Sequence, residues 1–437
     1  MLETLKNSWK IKEIRNKILF TIFIILIFRI GAVIPVPYVD FGALREAAQA
    51  ALANVGTEQA SSDQFFSYLS ILTGGGLEYG AIFAMSVTPY INASIIVQLL
   101  CVAIPALERL SKEGEEGQKK LAQITRYATV ILALIQGVAY FFYLKGSNYL
   151  SVEGVAATIF AAFVIILAFT AGSALVMWLG ERIDEKGIGN GISILLFAGI
   201  LSRGPQAFYS LWVYFTKYKY YFAVIGIVIA FLIIIAFVVW MTAAERRIPI
   251  QYAKRVVGNK MYGGQNTHMP IKVNMSGVMP IIFASSILML PTMILGFAQN
   301  HTNKSWYKFL ELFSTQGVFY AVIYFILIIG FAYFYATIQF NPIEMANNLR
   351  KNGGAIPGIR PGKPTSDFIS KILSRITLMG ALFLSLIAIL PIIIGNVGAI
   401  NVSLGGTSVL IMVGVALDTV RNLESQMMMR HYKGFLD

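Results

Sequence analysis

The sequence predicts an all-α polytopic membrane protein, and three observations lead to that fold class. Hydrophobic residues make up 57% of the 437 residues, and the mean hydropathy is +0.68. Charged residues account for 13% of the chain, about half of the ~25% that is usual for soluble domains. The apolar residues occur in long unbroken runs, whereas a membrane β-barrel would read as short alternating segments. Helices are therefore expected, because they satisfy their own backbone hydrogen bonds in lipid.

Ten apolar runs approach the roughly 20 residues that a membrane-spanning helix needs. The fifth is short for a full crossing, and an apolar continuation at residues 207–214 follows a break at Gly204-Pro205. In chain order the predicted spans cover residues 18–34, 77–104, 121–144, 154–179, 190–201, 221–241, 277–297, 318–338, 372–394 and 407–423.

The distribution of basic residues predicts that both termini lie in the cytoplasm. An even number of spans places both ends on one side of the membrane. Of the 35 Lys and Arg residues, 27 fall on that side and 7 on the other, and Arg29 lies inside the first span. Lys and Arg are enriched in cytoplasmic loops, so this asymmetry sets the orientation.

Three connecting segments are longer than simple connectors. Residues 35–76 lie on the predicted external side, and residues 242–276 and 339–371 form two basic loops on the predicted cytoplasmic side. Loops longer than about 12–15 residues are usually functional or disordered. The alternative is that the two basic loops are solvated segments that only set the topology.

The predicted spans carry few ionisable residues, of which Arg29 and Asp418 stand out. A transporter or proton pump normally places such residues at membrane depth. The side chains left to line a central path are mostly aliphatic or small and polar, and an apolar constriction closes to water and ions by dewetting. Pro89, Pro280 and Pro291 interrupt the second and seventh spans, which indicates either simple kinks or the hinges of a gate.

No enzyme site, metal site or cofactor is predicted. Cys101 is the single cysteine, so no intrachain disulfide can form. The three histidines share no metal-ligand spacing. The glycine-rich stretch at residues 187–191 follows a span rather than a strand, and therefore lacks the context of a dinucleotide-binding loop. It predicts instead the start of a helix that Asn190 caps.

Six stretches closely resemble the SecY family, the central subunits of the bacterial protein-conducting channel. They occur in the expected order over nearly the whole chain. Two departures are the longer Ala-rich external insert around residues 43–60 and Asn92, where many family members carry Ser. The stretches are FRIGAVIPVP (residues 28–37), GGGLEYGAIFAMSVTPYINASIIVQLL (74–100), GIGNGISILLFAGI (187–200), NMSGVMPIIFASSIL (274–288), FNPIEMANNLRKNGGAIPGIRPGKPT (340–365) and GGTSVLIMVGVALD (405–418).

The resemblance implies ten transmembrane helices in two inverted five-helix halves around a central pore. The halves would be residues 18–216 and 217–425, with a cytoplasmic N-terminus at 1–17 and a cytoplasmic tail at 426–437. The implied function is a passive channel in the bacterial plasma membrane. It would pass unfolded secretory polypeptides and release transmembrane segments sideways into lipid through a lateral gate.

The resemblance also assigns candidate site residues. The family's aliphatic pore ring corresponds to Val87, Ile91, Ile192, Leu196, Ile282 and Ile411. Its plug corresponds to residues 65–73, for which an interfacial amphipathic helix is the alternative; the plug side chains are Phe65, Phe66, Tyr68, Leu69, Ile71 and Leu72. The lateral gate would lie between spans two and three and spans seven and eight, near the polar residues Asn92, Gln98, Ser285 and Ser286.

The two basic loops resemble the family's docking surface for the ribosome and for the SecA motor ATPase. Clustered Arg and Lys bind RNA phosphates by counterion release, and they also attract anionic membrane lipids. The other implied partners are the small membrane subunits SecE and SecG, signal sequences and nascent chains. The docking residues are Arg246, Arg247, Lys254, Arg255, Arg350, Lys351 and Arg360.

Two other functions remain open from the residues alone. An inverted-repeat secondary transporter would need a charged coupling residue near the midplane, and Asp418 is a poor candidate for it. A purely structural membrane scaffold would need no pore, and it predicts no conductance when the plug is deleted.

Overall fold

The computed structural model describes most of the chain, with gaps at both termini and in several connecting segments. The described residues are 8–46, 76, 80–146, 149–152, 154–216, 221–252, 255–257, 260–262, 266–275, 277–297, 318–397 and 406–433. The predicted plug at residues 65–73 lies outside them.

Helices dominate the described residues, and we number the helices and strands in chain order. The helices are α1 (Lys12–Gly31), α2 (Thr88–Ala103), α3 (Pro105–Lys112), α4 (Glu115–Gly146), α5 (Val155–Lys186), α6 (Gly191–Leu201), α7 (Gly204–Thr216), α8 (Tyr221–Ala243), α9 (Met279–Phe297), α10 (Val318–Gln339), α11 (Pro342–Lys351), α12 (Lys363–Val397) and α13 (Gly406–Lys433). The strands are β1 (Glu245–Tyr252), β2 (Arg255–Val257), β3 (Lys260–Tyr262), β4 (Asn266–Lys272) and β5 (Gly354–Ala355).

Each of the ten predicted spans coincides with a described helix. In order, they are α1, α2, α4, α5, α6 with its continuation α7, α8, α9, α10, α12 and α13. Within the described residues, five helices are long and apolar enough to cross a membrane, or six if the bent pair α2–α3 counts as one span. Large apolar side chains remain exposed on these helices, among them Phe163 and Leu232, as expected for surfaces that face lipid.

The second span begins later than its apolar run. Residues 80–87 form turns, and α2 begins at Thr88 with Pro89 in its first turn. Proline suits that position because its missing N–H would have no partner there and its φ is already helical. The predicted break at Pro89 is therefore the start of a helix. Ser86, just before it, has a positive φ of 48° and a buried side chain.

A sharp bend separates α2 from α3. The chain bends by 104° between the two helices, and the backbone of Ile104, the residue between them, is extended. The cause is Pro105, because a residue that precedes proline is driven out of the helical region.

Besides an apolar cluster that joins α4 to α5, the spans pack around two others. The central cluster gathers buried side chains of α1, α5, α6, α13 and the turn before α2, including Phe28, Leu195 and Val415. The second cluster gathers side chains of α8, α9, α10, α12 and α13, including Tyr324 and Phe383. Helix α13 contributes to both clusters, so it joins the two groups of helices.

The two basic loops meet in a small antiparallel sheet with the strand order β4-β1-β5. Strand β1 pairs along its length with β4, from Glu245 opposite Lys272 to Gln251 opposite Asn266, and its last two residues pair with β5. The sheet packs on α11 and the start of α12 through an apolar cluster that includes Ile248 and Ile369. These segments were predicted only as loops, so the sheet is an addition to the predicted helical fold.

Candidate functional site

The six predicted pore-ring residues meet in the central cluster. Four of them, Val87, Ile192, Leu196 and Ile411, are between 1% and 9% exposed. Ile91 and Ile282 are partly buried and pack against the same cluster. These side chains come from the start of α2, from α6, from α9 and from α13. The fold thus brings together aliphatic residues that are more than 320 positions apart in the sequence.

Two backbone devices hold the ring residues of α2 and α6 in place. The amide of Ile91 donates to the carbonyl of Val87 at 3.0 Å, which puts both side chains on one turn. Helix α6 begins with the predicted cap, since the side-chain oxygen of Asn190 accepts from the Ser193 amide at 3.0 Å. Ile192 and Leu196 are four residues apart on this helix and therefore share a face.

Two glycines let α5 and α6 approach each other at backbone distance. A Cβ at Gly180 would lie 2.5 Å from Cδ1 of Ile192, and a Cβ at Gly191 would overlap the carbonyl oxygen of Gly180. The Asp184 carboxylate, also on α5, accepts from the Gly191 amide at 2.7 Å. Ile192 is therefore held against α5 by close packing and by a hydrogen bond at the start of its helix.

A cavity of about 300 Å³ adjoins the ring on the side of the sheet. Leu196, Ile282 and Ile411 form its apolar wall. Its polar wall includes Thr242, Lys272, Asn274, Gln339, Asp418 and Arg421. Three residues of the aliphatic ring thus line a partly polar cavity on the predicted cytoplasmic side.

The polar wall includes a connection between two spans. The guanidinium of Arg421 on α13 donates from Nη2 to the carbonyl oxygen of Thr242 at 3.0 Å. Thr242 lies in the last turn of α8, where backbone carbonyls lack helical partners. Arg421 therefore satisfies a helix end and ties α13 to α8.

The four predicted gate residues lie on two helices that face each other. Asn92 and Gln98 are on α2, and Ser285 and Ser286 are on α9; all four are partly buried. Gln98 donates to Ser94 at 3.4 Å and Ser285 donates to the carbonyl of Ile282 at 2.9 Å, so these bonds stay within their own helices. Helix α9 packs extensively on α10 and only lightly on α2 and α4. The seam between α9 and α2 is therefore weakly joined.

The predicted docking residues lie around the sheet, and Arg246, Arg247, Arg350, Lys351 and Arg360 are exposed. Arg246 and Arg247 are on β1, and Arg247 forms an ion pair with Glu245 at 2.8 Å. Arg350 and Lys351 end α11. Arg255 lies in β2, whereas Lys254 falls outside the described residues.

Arg360 lies on a tight turn beside the sheet. Gly358 and Gly362 on either side of it have positive φ angles of 80° and 109°, which favour glycine. The hydroxyl of Thr365 donates to the carbonyl of Arg360 at 2.9 Å. The side chain of Arg360 is exposed, so the fold presents its guanidinium to solvent on a fixed backbone.

The sheet and the glycine contacts were not predicted from the sequence. The strand β1 reads ERRIPIQY, and its buried residues Ile248 and Ile250 alternate with exposed ones. This period of two is the signal of a half-buried strand. The contacts of Gly180 and Gly191 had no such signal in the sequence. Each contact joins α5 to α6, and the positions of these glycines along the chain do not reveal how closely the two helices approach.

These features define a class of protein: a polytopic α-helical membrane protein of the channel type. Its helices meet at a cluster of aliphatic side chains beside a partly polar cavity. The SecY family model matches residues 81–420, most of the chain. The chain belongs to the SecY family.

A curated relative and two solved structures support the family and the fold. The protein translocase subunit SecY of Mycobacterium bovis is 44% identical, over 100% of both chains. One solved structure has a TM-score of 0.60 at 18% identity, and the match covers 94% of this chain and 92% of that one. Its subject is the plug domain of SecY, which stabilises the closed translocation channel and maintains a membrane seal. Sec61 in the canine ribosome–channel complex has a TM-score of 0.57 at 17% identity, with the same coverage. The predicted fold class, an all-α membrane protein of ten spans, is confirmed by this likeness.

Proposed function

We propose that this chain is the channel-forming subunit of a protein translocase in the bacterial plasma membrane, with both termini in the cytoplasm. It passes unfolded secretory polypeptides through the ring and releases transmembrane segments sideways between α2 and α9. The observation that carries this proposal is the meeting of six aliphatic side chains in one cluster, three of which also line a partly polar cavity. Aliphatic side chains exclude water and ions without binding a passing chain, so they seal a pore that must carry varied cargo.

The arrangement does not favour a secondary transporter. A transporter binds its substrate and coupling ion near the midplane through polar or charged groups. The constriction here is aliphatic, and Asp418 lies on the cavity wall beside Arg421, toward the sheet rather than in the ring. Partners must therefore supply the energy for transport, and we expect the SecA motor or the ribosome to do so.

The seal is tested by replacing Ile91, Ile192 and Ile411 together with Asn and measuring ion conductance in planar bilayers. We expect the resting conductance to rise, because polar side chains let water wet the constriction. The matched control replaces three exposed isoleucines of the spans, Ile131, Ile159 and Ile326, with Asn. Equal conductance in the triple ring variant, the control and the unmodified channel would contradict the proposal.

We propose that the sheet and α11 form the docking surface for the ribosome and SecA. Support comes from the exposure of Arg246, Arg350 and Arg360 around one folded unit. The test is Arg360→Glu, which should reduce partner binding and translocation. Arg109→Glu, at an exposed arginine on α3, is the control. Undiminished binding and translocation in Arg360→Glu would show that Arg360 is not a docking residue.

The remaining elements of the proposal are the plug, the lateral gate and the small subunits SecE and SecG. The light packing of α9 on α2 and α4 supports the gate. A signal sequence would enter this seam and partition into lipid by its own hydrophobicity. The plug at residues 65–73 is tested by its deletion, which should raise the resting conductance. An unchanged conductance would show that residues 65–73 do not contribute to the seal and that the ring alone closes the pore.

A further inference from the structure

Val278, the residue before α9, makes a close contact with α13 next to the ring. A Cβ at Gly414 on α13 would lie 2.6 Å from Cγ2 of Val278. Carbon atoms in ordinary contact are about 3.5–4.0 Å apart, so an added methyl group would fit only if Val278 moved. Val278 packs against both the central cluster and the second cluster. Its side chain therefore occupies a notch in α13 at the boundary between the two groups of helices.

Each partner in this contact is coupled to a ring residue on its own helix. The carbonyl of Val278 accepts from the amides of Ile281 at 3.1 Å and Ile282 at 3.3 Å, which fixes Val278 to the first turn of α9. Ile282 is four residues beyond Val278, and Ile411 is three residues before Gly414. Residues at these spacings share a helix face, so the notch and the two ring residues lie side by side along α9 and α13.

We propose that Val278 and Gly414 are positioning residues that set the aperture of the ring. The side chain of Val278 fits the space left by the missing side chain of Gly414, and this fit fixes how closely α9 approaches α13. The separation of Ile282 from Ile411 follows from it. Helix α9 packs extensively on α10 and only lightly on α2 and α4, and we infer that the contact between Val278 and Gly414 sets its distance from α13. The inference rests on the proposed function only where it equates the ring with the seal.

Gly414→Ala tests this inference. Cγ2 of Val278 belongs to a side chain branched at Cβ, which has few rotamers open to it, so we expect the added methyl group to move the start of α9 away from α13 by about 1 Å. We expect the resting ion conductance in planar bilayers to rise several-fold. The matched control is Gly330→Ala, since Gly330 is also within a spanning helix but has no atom within 4 Å of the added position. This control accounts for the change in helix propensity.

The double variant Gly414→Ala with Val278→Ala identifies the contact. Removing the two methyl groups of Val278 makes room for the new one, so we expect the conductance to return toward that of the unmodified channel. If Gly414→Ala does not accumulate in the membrane, Val278→Ile enlarges the other side of the same contact and is expected to raise the conductance. A conductance that Gly414→Ala raises and that the double variant does not lower would overturn the inference.

A second readout separates this inference from the proposed function. Cysteines at positions 282 and 411, in a chain whose native Cys101 is changed to Ser, report the separation of the two ring positions through a short bifunctional thiol reagent. We expect Gly414→Ala to lower the crosslinking yield several-fold and Gly330→Ala to leave it unchanged. A lower yield with unchanged conductance would support the positioning role and contradict the ring as the seal. An unchanged yield would overturn the positioning role whatever the conductance.

Discussion

The close approach of α5 and α6 gives a prediction that distinguishes two kinds of steric overlap. At Gly180 an added Cβ meets Cδ1 of Ile192 at 2.5 Å, about 1 Å inside ordinary contact. That atom is the end of a side chain and can rotate away. At Gly191 the added Cβ meets the carbonyl oxygen of Gly180, which cannot move unless the helices separate.

We therefore expect Gly191→Ala to destabilise the protein more than Gly180→Ala. Overpacking a close contact typically costs about 1–3 kcal/mol; Gly180→Ala should fall at the lower end of that range and Gly191→Ala at its upper end or beyond. The assay is unfolding of the purified chain in detergent micelles, with Gly330→Ala as the control for helix propensity.

The variant Ile192→Val adds a specific check, because it removes Cδ1. Alone it should cost about 0.5–1.5 kcal/mol, as is usual for Ile→Val in a core. Combined with Gly180→Ala it should cost less than the sum of the two single changes, whereas no such relief is expected with Gly191→Ala. Equal destabilisation by the two glycine variants, or relief in both combinations, would refute the reasoning.

Three further predictions concern single positions and use the same unfolding measurement. Ser86→Gly should raise the free energy of unfolding by about 1 kcal/mol, since Ser86 holds a left-handed backbone that costs roughly 1–2 kcal/mol in a residue with a Cβ; a loss of stability would show that its hydroxyl matters more than its backbone. Asn190→Ala should lower it by about 1 kcal/mol through loss of the cap on α6, while Asn190→Ser should retain most of the stability. Arg421→Met should lower it by about 1.5–3 kcal/mol, the range for a hydrogen bond to a charged group, because the Thr242 carbonyl loses its donor; no change would mean that water replaces the guanidinium.

Hydropathy predicted the helices well because a membrane-spanning segment must form its backbone hydrogen bonds within itself, as a helix does. A helix that crosses lipid needs a long apolar run, which is visible in the sequence. The run at residues 77–104 misplaced the start of α2, since residues 80–87 are apolar yet lie in turns. Hydropathy reports the depth of burial and not the backbone conformation. The position of Pro89 indicates where α2 begins, because proline is favoured in the first turn of a helix.

The ring could not be derived from the residues alone. An aliphatic residue in a membrane helix usually contacts lipid or packs in a core, and Ile192 differs in no visible way from Ile194 two positions later. Only the resemblance to a family singled out the six positions, and the structure then brought them together. The notch at Gly414 was out of reach for a related reason, because its partner Val278 lies 136 positions away. Such a contact depends on how two helices cross.

The small sheet has a mechanical consequence. Strand β5 is hydrogen-bonded to β1, and β1 to β4, so the two basic loops form one body. Only Ala244 separates β1 from α8, and six residues separate β4 from α9. A pull or a push applied at Arg360 is therefore shared among α8, α9 and α12 instead of reaching only the helix that follows it. The sheet therefore links these three helices mechanically, and cleaving either basic loop would leave a force at Arg360 acting on fewer of them.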